Sequence, residues 1–175
     1  MNFETFMNRM SEAKDFSCIE NAYSHIVYDI FNITLDTVNY MLIDTSTYKR
    51  TNSNPDALVP NDAIAVPDFV IGSRANDIGK VSRKGCIECK YSDKDINNAN
   101  QLTDKFDRFG DHFREKKQQR GYLSLYQNVI YTNGWIWRFF SGKKQEWCFD
   151  FSKVENQKNS YYGEFLAALC GIKWD

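Results

Sequence analysis

Two carboxylates and one lysine stand out by type and spacing: Asp68, and then Glu88 and Lys90 with Cys89 between them. Brought together, such groups are the parts needed to hold a hard divalent cation beside a phosphodiester. Carboxylate oxygens suit Mg²⁺, and an ammonium favours the charge that develops on a phosphate. Successive side chains alternate faces in a β-strand, so on an extended Ile87–Lys90 segment Glu88 and Lys90 point one way and Ile87 and Cys89 the other. The run from Ala63 to Ile71 reads as the preceding strand, and Gly72 to Gly85 is long enough to turn back as a hairpin. Antiparallel pairing would then place Asp68 near Glu88.

The elements that must position these groups form an ordered series. A helix led by the acidic Glu20 precedes the two strands; Gln101-Leu102 follows on a helix, and Tyr131-Thr132-Asn133-Gly134-Trp135-Ile136-Trp137 comes after it. With Pro67-Asp68 as the first half-motif and Glu88-Cys89-Lys90 as the second, this succession resembles the PD-(D/E)xK nuclease superfamily. It is most similar to the nuclease domain of type I-like restriction-enzyme motor subunits, over the stretch from Glu20 to Phe140. One position departs from that pattern: relatives often carry an aromatic four residues after the glutamine, where this chain has Lys105 and then Phe106.

The resemblance implies an α/β fold with a restriction-endonuclease-like mixed β-sheet flanked by helices, in the order α-β-β-β-α-β-β-β-α. It implies a Mg²⁺-dependent deoxyribonuclease, with Mn²⁺ able to substitute, acting on double-stranded DNA and leaving a 5′-phosphate and a 3′-hydroxyl. Asp68, Glu88 and the backbone carbonyl of Cys89 would be the metal ligands, and Lys90 would sit beside the attacking water and a phosphate oxygen; apart from the resemblance, the basic residues of the 95–119 segment would let a helix carrying Gln101 and Lys105 contact DNA. Glu20 carries two readings. The resemblance makes it an acidic residue that helps hold the metal's water, while the local pattern Ser17-Cys18-Ile19-Glu20 makes it the N3 member of a capping box.

A length of 175 residues fits a single domain, and 42% hydrophobic residues supply a substantial core. Residues 1–16 read as a helical extension, about 17–150 as the core and 160–170 as a C-terminal helix. The net charge of −1 gives no overall basic excess, so DNA affinity must come from local patches. No apolar run is of membrane-spanning length and the N-terminus lacks a secretory pattern, giving the expectation of a cytoplasmic protein with no membrane partner. Five cysteines, an odd and widely spaced set, fit reduced thiols better than a disulfide framework.

Local patterns fill in the rest. Phe3, Phe6, Met7 and Met10 fall at helical spacing, as do Ile19, Ala22, Tyr23, Ile26, Val27, Ile30 and Phe31. Tyr40–Asp44 reads as a strand, and 45–61, with Pro55 and Pro60, as a loop. Lys80, Arg83 and Lys84 lie in the turn between the two catalytic strands, where Lys84 either grips a phosphate backbone or keeps the turn soluble. Residues 95–119 read as a basic helix. Asn133-Gly134 between β-rich runs predicts a hairpin with a type I′ turn, positive φ at both positions, and Trp135 and Trp137 on its faces. Gln145–Phe151 alternates as a further strand, and Tyr162, Phe165, Leu166 and Leu169 mark the last helix.

No Gly-Lys-Ser/Thr loop is present, which excludes ATP hydrolysis by that route. A thiol nucleophile at Cys89 ranks low because on a regular strand Cys89 faces away from Glu88 and nothing around it points to a lowered thiol pKa, and a half zinc site from Cys86 and Cys89 ranks low because the two sulfurs point to opposite faces with no second Cys/His pair nearby. The expectation is therefore metal-assisted phosphodiester hydrolysis, by the cleavage domain of a restriction-modification or helicase-linked enzyme. Motor and sequence-recognition domains or subunits would be its partners, and a transient homodimer would serve cutting of both strands. The competing expectation is a nuclease-fold module that binds DNA or a protein without cutting.

Overall fold

A computed structural model of the chain describes residues 1–16, 21–46, 66–76, 80–90, 122–123, 125–142 and 144–174. The expected loop at 47–61, the expected helix at 95–119 and the Ser17–Glu20 capping box lie outside them. The described elements are α1 (Phe3–Phe16), α2 (Asn21–Thr34), β1 (Tyr40–Asp44), β2 (Phe69–Ser73), β3 (Arg83–Cys89), β4 (Asn128–Thr132), β5 (Ile136–Ser141), β6 (Lys144–Asp150) and α3 (Asn159–Cys170), with one 3₁₀ turn at Val154–Asn156. The six strands form one sheet in sequence order. All neighbours are antiparallel except β3 and β4, which run parallel. A parallel pair cannot be closed by a hairpin, so β3 and β4 are joined by a crossover connection. The fold is thus the mixed, helix-flanked α/β sheet expected.

Each face of the sheet has its own core. On the front, Phe69, Ile71, Ile87, Cys89, Ile130, Trp137 and Phe139 join Phe6 and Met10 of α1, the stripe Tyr23, Ile26, Val27, Ile30 and Phe31 of α2, and Tyr162, Phe165 and Leu169 of α3. The helical spacings read from the sequence are therefore the spacings of one buried layer. On the back, Val70, Cys86, Val129, Tyr131 and Phe140 pack with Val81, Tyr122 and Tyr126. Residues 122, 123 and 125 are helical, at the end of the crossover.

Three expectations need correction. The strand read as 63–71 begins at Phe69 in the described residues, because Pro67 has no N–H to give to a ladder. Lys84 is not in the turn but is the second residue of β3, at an irregularity where Ile71 pairs with Gly85 and Gly72 with Arg83. The Asn133-Gly134 turn is not type I′, since Gly134 has φ +83° and no non-glycine described residue has positive φ. Asn133 is used otherwise: its side-chain Oδ1 accepts from the N–H groups of Trp135 (3.1 Å) and Ile136 (2.8 Å). Gly134 is needed for space as well as for φ. A Cβ there would lie 2.6 Å from the Met10 methyl and 2.7 Å from the Tyr23 ring, so the hairpin tip docks under α1 and α2. Trp137 is fully buried and donates its Nε1–H to the Gly134 carbonyl at 2.6 Å, which settles it as a core residue.

Candidate active site

The site forms where β2 begins and β3 ends. Asp68 immediately precedes β2, and the register Phe69↔Ile87 sets it opposite Glu88. Its backbone is pinned from β1: Thr45 N–H donates to the Asp68 carbonyl at 2.9 Å, and the buried Thr45 hydroxyl donates to the Pro67 carbonyl at 2.5 Å. The carboxylate then reaches across, Oδ2 accepting from the Cys89 N–H at 2.7 Å. From the other side, Lys90 N–H donates to the Thr132 carbonyl at 2.7 Å, extending the parallel ladder one residue past β3.

Alternation along β3 does what the sequence required of it. Ile87 and Cys89 enter the front core, while Glu88 and Lys90 share the back. Lys90 Nζ donates to Glu88 Oε1 at 2.5 Å, and Tyr122 Oη donates to Glu88 Oε2 at 2.9 Å. Both side chains of the Glu88–Lys90 pair are largely withdrawn from water, at 6% and 14% exposure.

Burial governs the electrostatics. It raises the Glu88 carboxyl to about 7, with the Asp68 charge adding to the rise and Lys90 and Tyr122 opposing it. Asp68 is also raised, by burial first, against the pull of the Cys89 N–H and Lys90, with Asp44 adding repulsion. Two carboxylates that each resist ionising, one beside the other, favour a cation between them. Burial, Glu88 and Asp68 also hold the Cys86 thiol well above its ordinary range, so it is a core thiol. Tyr131, in register beside Glu88, is kept neutral by burial and by the Glu88 charge.

The structure therefore gathers Asp68, Glu88, the Cys89 peptide and Lys90 at one end of paired strands. Lys84 lies on the same strand four residues from Glu88, about 13 Å along it. Glu20, Gln101 and Lys105 fall outside the described residues. Tyr122 was missed. Its signal was present in the sequence, for the spacing of a glutamine and an aromatic four residues later, absent at Gln101, is found at Gln118 and Tyr122.

A solved structure shares this fold. It is a DrdV–DNA complex determined by cryoEM, superposing with a TM-score of 0.52 at 10% sequence identity over 98% of this chain. The chain spans 14% of that protein's length. No protein-family model and no curated protein matches the sequence.

The donor set fits a small hard cation. Asp68 and Glu88 offer carboxylate oxygens, and Mg²⁺ is commonly held by one or two carboxylates with waters and substrate phosphate oxygens completing its shell. Among the described residues no group of three His, Cys, Asp or Glu side chains is suited to hold a metal, so a closed all-protein cage is not what they build.

Proposed function

We propose that this chain is a Mg²⁺-dependent DNA endonuclease domain, with Mn²⁺ able to replace Mg²⁺, belonging to a restriction-modification or helicase-linked enzyme. The observation that carries the reading is the meeting of Asp68 with Glu88 and Lys90, from two separate strands, at one strand end, with Glu88 buried and Asp68 and Lys90 partly so. The fold shared with a protein solved as a DNA complex supports DNA as the substrate. Motor and sequence-recognition domains or subunits are its proposed partners.

In this reading Asp68, Glu88 and the Cys89 carbonyl hold the ion. When bound, it would neutralise charge on the scissile phosphate and make a coordinated water more acidic. The Cys89 N–H orients the Asp68 carboxylate. Lys90, once turned from Glu88 toward the phosphate, supplies positive charge where the transition state becomes more negative. The front core fixes β3 so that these groups meet without rearrangement of the backbone. Glu20 is assigned the water-holding role the resemblance gives it, and Gln101, Lys105 and Lys84 are assigned DNA contact, the two lysines on the strength of their basic surroundings in the sequence. Two such domains, from a transient dimer or from two complexes meeting, would cut both strands.

A Mg²⁺-dependent plasmid-cleavage assay tests the reading. Wild type should nick or linearise DNA, and Asp68→Ala and Lys90→Ala should not, while remaining folded. The second reading, a module that binds DNA without cutting, takes the Glu88–Lys90 ion pair as a purely structural bridge. A gel shift that survives EDTA, with no nicking in Mg²⁺ or Mn²⁺, would select it.

A further inference from the structure

Tyr131 is a back-face residue to which the cleavage reading gives no work. The parallel β3–β4 register sets it beside Glu88 and the β4–β5 register sets it beside Arg138, so it stands in the row that carries the buried charges of that face. It is 4% exposed, and its ring packs on Tyr122 and Phe140 with centroids 6.3 Å away in each case. Its hydroxyl is buried with no hydrogen-bond partner among the described residues. Other tyrosines of this fold use theirs: Tyr122 donates to Glu88 and Tyr162 to the Met1 carbonyl, and Tyr161 accepts from the Asp150 N–H. A buried hydroxyl without a partner costs free energy that phenylalanine, of nearly the same shape, would not. Packing alone therefore does not account for the oxygen.

Its place in the sheet narrows what the oxygen serves. Burial first, and then nearness to Glu88, Cys86 and Asp68, oppose loss of its proton, so a neutral phenol stands within the field of both candidate metal ligands. A Mg²⁺ ion held by two carboxylates keeps several waters, and a water turned toward the protein needs an acceptor for its proton. Neighbouring strands lie about 4.8 Å apart, close to the span of a cation–oxygen bond of about 2.1 Å followed by an O–H···O bond of about 2.8 Å. We infer that Tyr131 is a positioning residue of the site: its hydroxyl oxygen accepts a hydrogen bond from a water that the divalent cation holds on its protein-facing side. The inference rests on the metal-site reading of Asp68 and Glu88. It adds a third protein group to the site, one that acts through water and has its partner only when the cation is bound. By fixing one inner water, Tyr131 leaves the outward positions of the shell to the phosphate.

The test joins Mn²⁺ titration calorimetry on the full chain without DNA to denaturant unfolding in EDTA, for wild type, Tyr131→Phe and Phe140→Leu. Tyr131→Phe should unfold at or above the wild-type midpoint, because without metal the hydroxyl has no bond to lose. It should bind Mn²⁺ about 10-fold or more weakly, the usual effect of removing an outer partner of a metal site. In cleavage, the Mn²⁺ concentration for half-maximal rate should rise by the same factor. Phe140→Leu, which loosens the packing of the Tyr131 ring and leaves its hydroxyl in place, should lower the midpoint and keep the wild-type affinity. Unchanged Mn²⁺ affinity in Tyr131→Phe would overturn the role of the hydroxyl. A midpoint lowered by that substitution would overturn it too, since the oxygen would then be bonded in the metal-free chain, and so would an equal loss of affinity in Phe140→Leu. A wild type that binds no Mn²⁺ would instead remove the metal-site reading on which the inference stands.

Discussion

On the front of the sheet, Ile87 and Cys89 of β3 disappear among aliphatic and aromatic side chains from three helices; on the back, Glu88 of the same strand meets Lys90 and a tyrosine hydroxyl. The front is dense with rings: Phe165 lies 4.9 Å from Trp137, 5.4 Å from Phe151 and 5.5 Å from Phe149, centroid to centroid. The back buries polar and charged groups as well, among them Glu88 and Arg138, which flank Tyr131 in the strand register. Hydrophobic burial stabilises, whereas taking a carboxylate out of water costs free energy unless a partner offsets it. One face therefore supplies the stability that lets the other carry a strained electrostatic arrangement.

Variants that touch one face alone should break or sharpen that division. Trp137→Ala removes a fully buried ring and its bond to Gly134, and should cost about 3–5 kcal/mol in denaturant unfolding with little change in cleavage per folded molecule. Lys90→Met should do the reverse, lowering the cleavage rate about 10²–10³-fold, with a loss of stability confined to the pH range in which the unpartnered Glu88 must ionise. Gly85→Ala probes the front from within β3 itself. Its Cβ would stand 2.5 Å from the Trp174 ring and 2.8 Å from the Asn128 carbonyl. A loss of about 1–3 kcal/mol is expected, read as a lowered denaturation midpoint.

The back face should also announce itself through pH. Glu88 is raised from its ordinary 4.5 to about 7 in the folded chain, so the folded state binds the extra proton between those values. Its contribution to stability is full below about 4.5 and is lost as pH rises through about 7. Measured as the difference between wild type and Glu88→Gln, stability should follow that curve. A cation binds the ionised carboxylate, so Mg²⁺ should raise the wild-type melting temperature above neutral pH and have little effect at mildly acidic pH. The smallest effect is expected at Lys84, on the same strand but about 13 Å from Glu88: Lys84→Ala should weaken DNA binding less than the Asp68 or Lys90 changes alter cleavage, and reduce its salt dependence by about one unit of slope.

Much of the site was legible in the sequence because it depends on rules that act locally. Period-two alternation put Glu88 and Lys90 together and sent Cys89 elsewhere, and the hairpin logic brought Asp68 to Glu88. The stripes on α1 and α2 gave the front core for the same reason. What escaped was set by space and by contacts distant in sequence. Asn133-Gly134 satisfies the local rule for one turn, yet the approach of Met10 and Tyr23 to Gly134 and the bonds made by the Asn133 side chain choose another. Lys84 looked like a turn residue until the β2–β3 register extended the strand past it. Tyr122 reaches Glu88 only through the crossover between the parallel strands, a connection no local periodicity reports. Its glutamine-to-aromatic spacing became readable once the hydrogen bond pointed to it.

The account rests on one cation-sized space between two carboxylates. Crystals soaked in Mn²⁺ and measured for anomalous scattering would interrogate it directly. The account expects a peak between Asp68 and Glu88, about 2.0–2.2 Å from an oxygen of each, with the Lys90 ammonium moved off Glu88 Oε1. Absence of a peak there, with Lys90 still on Glu88 and the Asp68 carboxylate still on the Cys89 N–H at Mn²⁺ concentrations that would support cleavage, would contradict it.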